Sequence, residues 1–79
     1  MNAAFDFTHH RILVTGASSG IGREIAVQLI ASGADVFALG RDAQALAELG
    51  CHSLCLDIAD SVALEKALHD LPPVHGLVN

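Results

Sequence analysis

Three glycines, Gly16, Gly20 and Gly22, fall within nine residues of the stretch Val14-Thr15-Gly16-Ala17-Ser18-Ser19-Gly20-Ile21-Gly22. Glycine at that density suits chemistry done by backbone rather than by side chains, and the close seating of a phosphate group is such a case. A helix begins with unpaired N–H groups and a partial positive charge, but a phosphate reaches them only across an unobstructed loop. In that role Gly16 turns the chain sharply, Gly20 removes a Cβ from the ligand's path, and Gly22 lets the following helix lie close. Ser18 and Ser19 add hydroxyl donors, and Thr15 can brace the preceding segment through its own hydroxyl. A plain turn needs one glycine, so three in this arrangement point to the pyrophosphate of a dinucleotide.

Other residues could extend the same chemistry. Arg41 offers a guanidinium that can bond a phosphate bidentately. At Gly40, directly before it, a carboxylate would repel such a phosphate, and glycine carries none. Asp42 follows directly, and capping the next helix would turn its charge toward helix amides. Arg23 reads either as a second phosphate ligand or as the ion-pair partner of a nearby acid. Asp57 reads either as a ligand or as a capping carboxylate. The five histidines show no metal-ligand spacing, so no metal is expected. Cys51 and Cys55 read as reduced packing residues of a cytoplasmic protein rather than as a disulfide or metal pair.

These residues need a scaffold, and the hydrophobic pattern supplies one. Arg11–Thr15, Asp35–Leu39, Cys51–Asp57 and Val74–Asn79 read as strands, the first two as continuous apolar runs. Between them, Gly20–Ser32 reads as a helix with its apolar face at Ile21, Ile25, Leu29 and Ile30. A short helix capped by Asp42 runs through Leu49. A third, capped by Asp60 or Ser61, runs to about Asp70 with Val62, Leu64, Ala67, Leu68 and Leu71 apolar, and Pro72-Pro73 closes it. The alternation is that of an α/β fold with parallel strands and right-handed crossovers, a Rossmann-type doubly wound sheet of order 3-2-1-4. The expectation is a single partial dinucleotide-binding domain over residues 1–79, truncated after its fourth strand.

The string Thr15-Gly16-Ala17-Ser18-Ser19-Gly20-Ile21-Gly22 resembles the cofactor motif of the short-chain dehydrogenase/reductase family. Leu56-Asp57-Ile58 is similar to that family's acidic motif after the third strand, and Leu77-Val78-Asn79 to the start of its N-N-A-G motif. Arg41 falls where NADP-preferring members carry a basic residue. The resemblance implies cofactor contacts from Gly16, Ser18, Ser19, Gly20, Ile21, Gly22, Arg41, Asp57, Ile58 and Asn79. Within them it places Asp57 at the adenine amino group and Asn79 near the adenosine ribose. It implies NADP in preference to NAD, hydride transfer between nicotinamide and a carbonyl or alcohol carbon, and a homo-oligomeric parent enzyme. Among relatives the match looks most like bacterial xylulose reductases and 3-oxoacyl reductases. The family's catalytic serine and Y-x-x-x-K pair map onto no position, because the chain has no tyrosine and its one lysine is Lys66.

Composition narrows the alternatives. A net charge of −5 with four Lys and Arg residues opposes nucleic-acid binding. No apolar run approaches a membrane span, and the start has no signal-peptide pattern. Two readings compete with the enzyme portion: a non-catalytic module that binds a nucleotide, and a structural fragment that needs a partner chain for its open sheet edge.

Overall fold

The computed structural model describes residues 8–78, so Asn79 lies outside it. Four strands alternate with three helices: β1 (Arg11–Thr15), α1 (Gly20–Ala31), β2 (Asp35–Gly40), α2 (Ala43–Glu48), β3 (His52–Cys55), α3 (Ser61–Asp70) and β4 (Gly76–Val78). The strands form one parallel sheet in the order β3-β2-β1-β4, as the pattern of apolar runs and helices requires. Leu13 pairs with Phe37 on one side and Leu77 on the other.

The two central strands are the most apolar, and side-chain alternation divides them between two faces. Ile12, Val14, Val36 and Ala38 face α1 and α2, where Ala26 and Leu46 complete the larger cluster. Leu13, Phe37 and Leu39 face the other way, against Leu54 and Leu56 and the α3 residues and C-cap Leu64 and Leu71. Ala26 is the one buried residue of α1, and its small side chain suits close approach of that helix to the sheet. Ile21, expected on the apolar face, is instead 80% exposed. The first turn of α1 meets the glycine loop through Gly22, which leaves the Ile21 side chain in the open. α3 has no fully buried residue, and Val62 and Leu68 of its expected apolar face are also exposed.

Helix starts follow the predicted caps. Asp42 Oδ1 accepts the amides of Gln44 and Ala45, each at 3.1 Å, and Asp60 Oδ1 accepts that of Ala63 at 3.1 Å. The two edge strands are shorter than expected. β3 ends at Cys55, opposite Gly40, because β2 offers no partner beyond that point. Before β4, the His75 imidazole takes over part of the ladder: its Nδ1 accepts the Arg11 amide at 2.9 Å. The His75 amide in turn donates to the Arg11 carbonyl at 2.7 Å. Among the described residues no helix is long and apolar enough to cross a membrane.

Candidate functional site

A cleft of about 770 Å³ opens at the carboxyl ends of the strands, where open parallel sheets bind ligands. The β1–α1 loop contributes Gly16, Ser18 and Ser19 to one wall. The exit of β2 contributes Gly40, Arg41 and Asp42, and the segment after β3 contributes Leu56 and Ile58.

The glycine loop has the conformation that its composition suggests. Gly16 and Gly20 sit at φ +65° and +62°, in the left-handed region where a Cβ is strained, and each leaves the space around it open. At Gly22 the constraint is contact. An added Cβ would lie 2.8 Å from the carbonyl carbon of Gly16, so helix and loop touch backbone to backbone. Ser19 occupies the N-cap of α1 with no side-chain capping bond among the described residues, unlike Asp42 and Asp60 at the other helices. That helix mouth therefore keeps its amides for another acceptor. Thr15 Oγ1 donates to the Val78 carbonyl at 3.3 Å and braces β1 against β4, as its place at the strand end suggests.

Two bonds tie the loop to β2. The Ala17 amide donates to the Leu39 carbonyl at 3.0 Å, and the Asp42 amide donates to Ser18 Oγ at 3.2 Å. Gly40 is buried beneath this contact. A Cβ built there would collide with Ser18 Oγ and stand 3.1 Å from both the Cβ and the amide nitrogen of Ser18. The space beside Gly40 is thus taken by the neighbouring loop.

Arg41 is exposed on the cleft, and no described residue pairs with its guanidinium. Arg23, the other candidate cation, is committed elsewhere. It donates to the Ala45 carbonyl at 3.1 Å and lies 3.5 Å from Glu48, joining α1 to α2. Asp42, which shares the wall with Arg41, spends Oδ1 on the α2 amides, so its charge is drawn toward the helix. Asp57 does not cap α3. Its Oδ1 accepts the Ala59 amide at 2.9 Å, and its carbonyl accepts the Asp60 amide at 2.8 Å, which shapes the turn ahead of the helix. Ile58 lines the cleft and is half exposed, whereas Gly20, Ile21 and Gly22, in the first turn of α1, and Asp57 are not among the residues that line it.

The sequence reading missed Leu39, Leu56, Ala43 and Gln44, which complete the walls. Leu39 and Leu56 carried a positional signal near the carboxyl ends of predicted strands, whereas Ala43 and Gln44 open α2. Cys55 departs from its expected packing role, for its thiol is exposed and donates to the Arg41 carbonyl at 3.5 Å. Cys51 is half-buried against the larger cluster, and that burial pushes its thiol above the usual value.

Fold and site together define an α/β protein with an open glycine-rich loop at the carboxyl end of a parallel sheet. The short chain dehydrogenase family model matches residues 10–79, and the chain belongs to that family. It is 45% identical over its whole length to D-erythrulose reductase of Gallus gallus, covering 34% of that protein. It is 43% identical to L-xylulose reductase of Caenorhabditis elegans, again over its whole length and 36% of the relative. Among solved structures, a Pseudomonas aeruginosa RhlG/NADP active-site complex superposes with a TM-score of 0.84 at 34% identity, over 100% of this chain and 36% of that one. The chain thus spans about a third of the length of the relatives it matches.

Proposed function

We propose that this chain is the NADP-binding portion of a short-chain oxidoreductase that reduces a carbonyl group or oxidises the corresponding alcohol. The observation that carries the reading is the pairing, across one cleft, of an open glycine loop with the unpaired guanidinium of Arg41. The loop would receive the pyrophosphate on the first-turn amides of α1, with Ser18 and Ser19 at its side and Gly20 leaving the approach open. Arg41 would bond the 2′-phosphate, and Asp57, Ile58 and Asn79 would stand toward the adenosine. The names of two relatives support the choice of cofactor: the RhlG/NADP complex, and carbonyl reductase [NADPH] 2 of Sus scrofa, 42% identical over 94% of this chain. The dinucleotide, when bound, would donate the hydride in carbonyl reduction or accept it in alcohol oxidation; the residues of this chain orient it and balance its charge.

The test is a pair of titrations, wild type against Arg41→Ala, with NADP and NAD at matched salt. A charge-assisted hydrogen bond contributes about 1.5–3 kcal/mol. Arg41→Ala should therefore weaken NADP about ten- to a hundredfold and leave NAD nearly unchanged. Equal losses for both cofactors, or none, would remove Arg41 from the site.

A further inference from the structure

The geometry points to Ser18 as a residue that determines cofactor choice by holding position 40 to glycine. This rests on the nucleotide reading above and deepens it. An acidic side chain at the end of β2 is the ordinary means of binding an unphosphorylated ribose, because it accepts from the hydroxyl that NADP carries as a phosphate ester. Whether this chain could carry one is decided by a residue in another loop. Ser18 is tied to the exit of β2 through the Asp42 amide, and its neighbour Ala17 through the Leu39 carbonyl. Gly40 is held from its other side, since its carbonyl accepts the Leu56 amide at 2.9 Å. Neither backbone is therefore placed to withdraw. Rotating the Ser18 hydroxyl would relieve the worst contact, but the Cβ and amide nitrogen of Ser18 would remain 3.1 Å from a new Cβ. The rotation would also leave the Asp42 amide without its acceptor. Ser18 and Gly40 thus act as one unit that excludes a carboxylate at position 40, beside an Arg41 guanidinium that no described residue pairs.

A double-mutant cycle on the full chain separates this from the nucleotide reading. The first readout is denaturant stability for Gly40→Ala, Ser18→Gly and the pair. Gly40→Ala should be destabilising in the wild-type background and much less so beside Ser18→Gly; additive losses would overturn the steric coupling. The second readout is fluorescence titration with NADPH and NADH, which the absence of tryptophan and tyrosine keeps clean. Gly40→Asp alone should bind both cofactors about tenfold or more weakly. Adding Ser18→Gly should restore NADH binding by about tenfold or more without restoring NADPH. Failure of Gly40→Asp to fold, with rescue by Ser18→Gly, supports the coupling; failure of both to fold overturns it. If Gly40→Asp alone binds NADH as tightly as the double variant, Ser18 has no part in selectivity. If wild type binds neither cofactor, the nucleotide reading and the selectivity fall together, and the stability cycle still decides the contact.

Discussion

At the scale of single residues, the same side-chain type does different work according to where its segment ends. Arg23 and Arg41 are both basic residues near the glycine loop, yet one bridges two helices and the other is left to the cleft. The two cysteines differ in the same way. Burial raises Cys51 and lowers the thiolate fraction at a given pH, whereas Cys55 lies open on an edge strand. Alkylation by iodoacetamide near pH 8, followed by mass spectrometry of the peptides, should label Cys55 well before Cys51. Equal rates would show that the packing around Cys51 opens readily. Much at this scale was legible from type and spacing: the glycines, the serines, the caps at Asp42 and Asp60, the cation at Arg41. The contact between Ser18 and Gly40 was not, because no local pattern records which atoms two separate loops bring together. Arg23 was ambiguous for a related reason, since its partner Glu48 lies on another helix.

At the scale of elements, every strand and helix was legible, because apolar runs, alternation and caps each act over a few neighbouring residues. Boundaries were less so. Periodicity marks Ile21 as one more apolar position, but carries no information about where the sheet beneath α1 stops. β3 shortens because a strand extends only as far as its neighbour offers bonds, and β4 starts late because the His75 ring stands in for a backbone acceptor; each of the two has one neighbour among the described residues. That asymmetry has a measurable result. Native-state hydrogen exchange should protect the amides of Leu13, Val14, Phe37 and Ala38 most strongly and those of residues 76–78 least. Uniform protection across all four strands would mean that β4 is fixed by more than its pairing with β1. The His75 imidazole ties the same region down: His75→Ala removes the Nδ1 acceptor of the Arg11 amide, so exchange at Arg11 should quicken in that variant.

At the scale of the whole molecule, one face of the sheet is covered by two helices and the other by one. Leu77, in register with Leu13 on the less covered face, is 62% exposed. On the proposed function these residues supply the nucleotide site but not the tyrosine that the family resemblance implies for proton transfer, so residues 1–79 expressed alone should bind nucleotide without catalysing carbonyl reduction. NADPH oxidation by the purified chain with a ketone substrate, abolished by Gly20→Ala, would refute this. The strand order also bears on how the molecule assembles. β2 pairs with β1 before it and β3 after it, while Arg11 and His75, which join β4 to β1, lie 64 positions apart. Short closures form before long ones, and a chain grows from its amino end. The walls of the cleft come from the segments around β1, β2 and β3. On the proposed reading, the short closures favour the cleft walls forming before β4 docks, and a dinucleotide captured at that stage would act as a folding template for β4.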